Sequence, residues 1–242
     1  MLQPFLIALQ FLTRLPVARG DWRAQDVGRS IVWYPAIGVL LGGLLAGLGW
    51  ALQGLPCGLA AALLLALWVA VTGALHLDGL ADSADAWLGG GGDRDRTLAI
   101  MKDPHRGAGA IVAVTLVLIA KFAALQAALE GQAWAALCAA PLAGRALVPL
   151  LFLTTPYVRP GGLGSALAAH LPRRGAAASV GASVVLLFIL FPQQGVVIVL
   201  AAALVFGGLR ALMMARLGGT TGDTAGALVE LAEAAVLMAA VA

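Results

Sequence analysis

The sequence predicts an all-α, polytopic membrane bundle of about seven spanning helices in a single domain, residues 1–242, with a short N-terminal interfacial or re-entrant helix. Three observations predict it. Apolar residues make up 61% of the chain and charged residues only 11%, with a mean hydropathy of +0.95. A soluble domain carries roughly 25% charged residues, so this chain lacks the polar surface to cover a water-soluble globule. Its apolar residues also fall into runs close to the ~20 that cross a bilayer. Finally, its cations gather on alternate connections between those runs.

Taken in order, residues 5–12 are apolar but too short to span. They lack the basic region and cleavage site of a signal peptide, and predict an amphipathic or re-entrant helix. The first span is 31–52, ended by the turn Gly54-Leu55-Pro56-Cys57-Gly58. Residues 59–75 return. A polar stretch runs over 78–106. The third span, 107–129, contains Lys121, and Glu130-Gly131-Gln132 turns the chain. The fourth, 133–153, is interrupted by Pro141 and Arg145. A loop over 154–174 holds a short helix at 163–170. Residues 176–191 and 196–213 form the fifth and sixth spans, joined by Pro192-Gln193-Gln194, and 225–241 is the last.

With the N-terminus placed in the cytoplasm, that side holds Arg14, Arg19, Arg23, Arg29, Arg94, Arg96, Lys102, Arg106, Arg159, Arg173, Arg174, Arg210 and Arg216. These are 13 of the 15 Lys and Arg; the other two, Lys121 and Arg145, lie within spans. The asymmetry predicts a bacterial cytoplasmic (inner) membrane protein whose N-terminus and active face are cytoplasmic. A transporter would offer polar groups toward both sides. Small residues spaced as Gly38, Gly42 and Ala46, or Gly43 and Gly47, predict close helix packing. Cys57 and Cys138 lack metal-type spacing and read as core residues. No basic stripe with interleaved aromatics predicts a nucleic-acid partner. The oligomeric state is not set by the sequence, and a homo-oligomer stays open.

Three polar clusters carry chemistry. No charge occurs between Arg29 and Asp78; then Asp78, Asp82 and Asp85 follow at i, i+4 and i+7. On a continuous helix Asp82 lies about 40° from Asp78, and Asp85 about 20° to the other side. Three carboxylates on one face repel unless a cation intervenes, and oxygen-only ligands favour magnesium or manganese. An N-cap would explain one acid, not three. His76, two residues earlier, suits a general base or a donor to phosphate.

The second cluster joins Arg94-Asp95-Arg96 to Lys102-Asp103-Pro104-His105-Arg106-Gly107-Ala108-Gly109. Cations before a glycine-rich helix start suit phosphate, and equally suit a positive stop signal. The third is Gly218-Gly219-Thr220-Thr221-Gly222-Asp223-Thr224-Ala225-Gly226-Ala227, followed by Glu230. Here Asp223 is placed to complete a metal site and the loop to hold a diphosphate. Arg145, inside a span, needs an anionic partner: a carboxylate of the first cluster, Asp223, or a substrate phosphate. Together these predict metal-assisted phosphoryl-type transfer at a membrane surface.

The run Thr72-Gly73-Ala74-Leu75-His76-Leu77-Asp78-Gly79-Leu80-Ala81-Asp82-Ser83-Ala84-Asp85 resembles the signature of the cobalamin synthase family, the adenosylcobinamide-GDP ribazoletransferases. Further elements agree in order: Phe11-Leu12-Thr13-Arg14-Leu15-Pro16, Tyr34-Pro35-Ala36-Ile37-Gly38, Ile100-Met101-Lys102-Asp103, Tyr157-Val158-Arg159 with Gly162-Leu163-Gly164, and Gly219-Thr220-Thr221-Gly222-Asp223. Ala74 and Ala86 stand where the family pattern has glycine, and Pro104-His105-Arg106 replaces a Ser-Arg-aliphatic run. The resemblance implies that adenosylcobinamide-GDP and α-ribazole (or its 5′-phosphate) are joined with release of GMP, with Mg2+ as cofactor. It implies Asp78, Asp82, Asp85 and Asp223 as metal ligands and His76 and Asp82 as catalytic residues. Arg14, Arg94, Lys102, Arg106, Arg145, Thr221 and Gly222 are then the phosphate-binding set. A CDP-alcohol phosphotransferase-like lipid enzyme is the alternative, though its second acidic motif is missing. A cation transporter and a purely structural subunit are weaker rivals.

Overall fold

A computed structural model describes residues 2–17, 22–105 and 107–242. Arg106, and Arg19 of the charge count, lie outside the described residues. The described residues form helices joined by short connections: α1 (Leu2–Leu12), α2 (Ala24–Ser30), a 3-10 turn (Ile31–Trp33), α3 (Tyr34–Ala51), α4 (Cys57–Thr72), α5 (Leu75–Gly89), α6 (Arg94–Ile100), α7 (Ala108–Glu130), α8 (Trp134–Thr154), α9 (Gly162–Ala169), α10 (Arg173–Leu190), α11 (Gly195–Leu217) and α12 (Gly222–Val241). No strand forms among them, and one isolated parallel bridge joins Tyr157 to Thr220. The all-α polytopic class holds. Six helical stretches are long and apolar enough to cross a membrane, and α4 with α5 forms a seventh only as a pair bent by 87°.

That bend differs from the simple span expected at 59–75. Gly73 (φ +62°) and Ala74 (φ +56°) both adopt left-handed backbone, and their N–H groups close back onto the carbonyls of Ala70 and Val69. The chain then re-enters a helix, and the polar stretch contains α5 and α6. A side chain in the left-handed region costs about 1–2 kcal/mol, so glycine would fit position 74 with less strain than alanine. Ala74→Gly is therefore expected to stabilise the protein by roughly 0.5–1 kcal/mol after the extra freedom of the unfolded glycine is subtracted. The measurement is the thermal unfolding midpoint in detergent; a lower midpoint would refute the strain.

α8 and α12 are the enclosed helices, while α10 and α11 leave most of their apolar surface exposed. α8 runs unbroken through both Pro141 and Pro149. Each proline removes one backbone donor, a loss that packed membrane helices tolerate. α3 lies directly against α8: a Cβ at Gly38 would sit 2.5 Å from the Pro141 carbonyl oxygen, and one at Gly42 2.5 Å from the Cys138 Cα. Gly43 and Gly47 meet nothing within 4 Å, so only the first of the two small-residue stripes is a packing seam. Cys57 and Cys138 are half-buried and free.

At one end of the bundle, arginines close the C-termini of α8 and α11. The Nε of Arg94 donates to the Leu217 carbonyl (2.8 Å), Arg173 donates to that of Leu153 (3.1 Å), and Arg210 to that of Thr154 (2.6 Å). The same end holds the Tyr157–Thr220 bridge, with Val158 N–H donating to Thr220 and Thr220 N–H to Pro156. Helix ends leave carbonyls without partners, and cations there also oppose the negative end of the helix dipole.

Candidate active site

Two glycines decide where the acidic residues meet. A Cβ at Gly79 on α5 would lie 2.6 Å from the carbonyl oxygen of Asp223, and one at Gly226 on α12 would lie 3.2 Å from the carbonyl oxygen of His76. Only helices without side chains at the crossing approach this closely. The crossing brings the first turn of α5 against the first turn of α12. Both N-terminal ends carry partial positive charge, which favours Asp78, Asp223 and any bound anion nearby. The α12 start is held by a capping box in which Thr221 Oγ1 accepts from the Thr224 N–H (3.2 Å) and Thr224 Oγ1 accepts from the Thr221 N–H (2.9 Å).

A cavity of about 170 Å³ opens at the crossing. His76, Asp78, Gly222 and Asp223 line it from α5 and α12. Phe11, Leu12, Tyr34, Val148, Phe152 and Leu167 supply apolar lining from α1, α3, α8 and α9. Asp223 pairs at 2.7 Å with Arg159, which is not itself part of the lining. His76 is 6% exposed, and its Nδ1 has no partner among the described residues.

The other expected site residues are distributed as follows. Asp82 sits about 6 Å further along the α5 axis, half-buried and outside the cavity lining. Asp85, expected as a metal ligand, caps α7: its carboxylate accepts from the N–H groups of Gly107 (2.6 Å) and Ala110 (2.9 Å). The anion at that glycine-rich helix start is thus the protein's own carboxylate. Lys102 is exposed on the following connection, where Asp103 accepts from the His105 N–H (2.9 Å) and pairs with its ring. Those hydrogen bonds hold the Asp103 carboxyl below its usual range. Arg14 lies over the α4–α5 bend, its N–H donating to the Val71 carbonyl (2.7 Å) and its side chain covering Gly73. Arg94 is half-exposed, with its Nε engaged at Leu217. Thr221 is fully buried in the cap, and Gly222 faces open space.

Arg145 departs from expectation. It is 1% exposed, does not line the cavity, and pairs with Glu233, not with Asp223 or the α5 acids. Glu233 also pairs with Lys121, whose Nζ lies 2.6 Å from Glu230 and 4.4 Å from the centroid of the Trp68 ring. Two cations and two carboxylates thus neutralise one another between α7, α8 and α12. Glu233 and Arg159 were not singled out from the sequence as site residues. The signal for Glu233 was present: two cations inside spans require two acids inside spans, and Glu230 and Glu233 share a face of the last one.

The donor set can be judged against a hard divalent cation. Asp78 and Asp223 offer oxygen-only ligands across the α5–α12 crossing, with Asp82 one turn away, which fits magnesium in kind. Among the described residues no three acidic, histidine or cysteine side chains are already closed around one point.

The family model described as cobalamin-5-phosphate synthase matches residues 4–241. The chain belongs to the cobalamin-5-phosphate synthase family. Its relatives include Pseudomonas proteins named adenosylcobinamide-GDP ribazoletransferase. One from Pseudomonas putida is 59% identical over 97% of each chain; one from Pseudomonas fluorescens is 58% identical over 97% of this chain and 98% of its own. One from Pseudomonas paraeruginosa is 56% identical over 98% and 97%. No solved structure matches. As a member of the cobalamin-5-phosphate synthase family the chain is a transferase of cobalamin biosynthesis, and the lipid-enzyme, transporter and structural-subunit readings fall away.

Proposed function

We propose that the α5–α12 cavity joins adenosylcobinamide-GDP to α-ribazole, or to its 5′-phosphate, at the cytoplasmic face of a bacterial inner membrane. A hydroxyl oxygen of the ribazole attacks the phosphorus that carries cobinamide. The bond from that phosphorus to the bridging oxygen of GMP breaks, GMP leaves with the electron pair, and the hydroxyl proton passes to a base. The observation that supports this most is the convergence of His76, Asp78 and Asp223 on one cavity from helices far apart in the chain.

His76 is placed to take the proton, since its Nδ1 is buried, lacks a partner among the described residues and belongs to the cavity wall. The first turns of α5 and α12 favour the diphosphate through their N–H groups and dipoles. Arg159, which balances Asp223, is available to meet phosphate charge as it develops. Asp78, Asp223 and Asp82 would hold magnesium, which supplies charge neutralisation of the diphosphate when bound. The gathering of cations on one side supports a cytoplasm-facing site.

The test is GMP release from adenosylcobinamide-GDP and α-ribazole by purified membranes, with magnesium and with a chelator. Release that stops on chelation and returns with added magnesium is expected. No release under any condition would sink the reading, and release unaffected by the chelator would remove the metal from it.

A further inference from the structure

We propose that Tyr157 is a further catalytic residue: its hydroxyl donates a hydrogen bond to a phosphate oxygen at the start of α12. This rests on the function proposed above, which brings a diphosphate there.

The placement begins with backbone pairing. Tyr157 and Thr220 form the isolated parallel bridge, in which the Val158 N–H donates to the Thr220 carbonyl (2.9 Å) and the Thr220 N–H to that of Pro156 (2.8 Å). Extended residues alternate in direction, so positions 157 and 159 face one way and 158 the other. The side-chain contacts obey that alternation. Val158 packs with Ala86, Met101 and Leu217. Arg159 reaches Asp223, and the Tyr157 hydroxyl reaches the backbone of Gly222, one residue earlier. The connection between α8 and α9 is thus a short arm fixed to the α12 start, and it presents two donors to the first turn of that helix.

The hydroxyl stands at the cavity. A Cβ at Gly164 on α9 would lie 2.2 Å from its oxygen, and Gly164 and Gly222 both line the cavity. A side chain at position 164 would displace it. The Tyr157 ring is held by stacking on Phe152, with centroids 5.6 Å apart at 22°. Among the described residues, the hydroxyl's hydrogen bond is the one it accepts from the Gly222 N–H, so its own proton is left to donate. Burial raises the hydroxyl above its ordinary pKa, which keeps that proton in place at neutral pH.

The two donors of the arm differ. Arg159 is committed to Asp223, whereas Tyr157 is neutral and has a proton to offer. A donor fixed before the substrate arrives meets the charge on a phosphate oxygen without rearrangement. No bond to Tyr157 forms or breaks, and the hydroxyl keeps its proton throughout.

The experiment compares the full-length protein in detergent with Tyr157→Phe, which keeps the ring and removes only the hydroxyl. Loss of one such donor lowers kcat by on the order of 100-fold. That fall is expected in Tyr157→Phe, with KM for α-ribazole unchanged and the unfolding midpoint within a few degrees of wild type. Unchanged kcat, a loss carried by KM for α-ribazole, or a fall matched by a lower midpoint overturns the assignment; the last would make the hydroxyl a cap for the Gly222 N–H. Should Tyr157→Phe not fold, Gly164→Ala decides the matter, since it displaces the hydroxyl with the tyrosine still present. The same fall in kcat is expected there, and full activity overturns the proposal. Should the wild-type protein release no GMP, equilibrium dialysis with labelled pyrophosphate separates the two ideas. Binding that weakens in Tyr157→Phe upholds the hydroxyl as a phosphate donor and sinks the reaction; equal or absent binding overturns the donor as well.

Discussion

Asp82→Asn is expected to abolish turnover while leaving the helical bundle intact. The substitution keeps the size of the side chain and removes its charge, at a half-buried position on the acidic face of α5. Groups one layer outside a metal's own ligands already change activity by 10–100-fold, so loss of a ligand is expected to exceed about 100-fold. Two readouts separate the metal role from a structural one. The magnesium concentration for half-maximal rate should rise in Asp82→Asn and in Asp78→Asn, and the unfolding midpoint should stay within a few degrees of wild type. Unchanged activity in Asp82→Asn would remove that residue from the metal set. The parallel change at Asp85 should act differently. Because Asp85 accepts two backbone N–H groups at the start of α7, Asp85→Asn should weaken that helix start and leave the magnesium requirement alone.

Glu233→Ala is expected to be the most destabilising single change in the transmembrane core. Glu233 is fully buried and pairs with both Arg145 and Lys121. Its removal leaves two buried cations facing one acid, and breaking a buried pair in this way costs about 3–5 kcal/mol. Replacing Arg145 by methionine in the same protein restores the charge balance and should recover a large part of that loss. The measurement is a double-mutant cycle on unfolding in detergent. Additive losses would show that the two residues do not act as a pair. The cycle also bears on the site: Arg145 sits in this cluster, not at the cavity, so its loss should reduce folded protein more than it raises any substrate KM.

The bundle was legible in the sequence because the tendency to span is local. A run such as 108–130 is apolar enough to cross a membrane whatever its neighbours do, and the structure begins and ends that helix within a residue or so of expectation. The acidic spacing was legible for the same reason, since i, i+4 and i+7 share a face on any helix. The bend after α4 was not, because Ala74 takes a left-handed backbone that alanine does not advertise. Nor was α6, a seven-residue segment held by packing more than by propensity.

By itself, the sequence determined that this chain is a membrane helical bundle of the cobalamin-5-phosphate synthase family, with its cations gathered on alternate connections and an unusual reserve of carboxylates. Tertiary structure alone decided what each carboxylate faces. Asp78 and Asp223 share a cavity because Gly79 and Gly226 let two helices touch; Asp85 is spent on a helix start; Glu233 answers Arg145 and Lys121. The physical reason is range. Hydropathy and helical period act over a few residues, whereas the partner of a buried charge is set by the closest opposite group in space, on whichever helix the packing brings there.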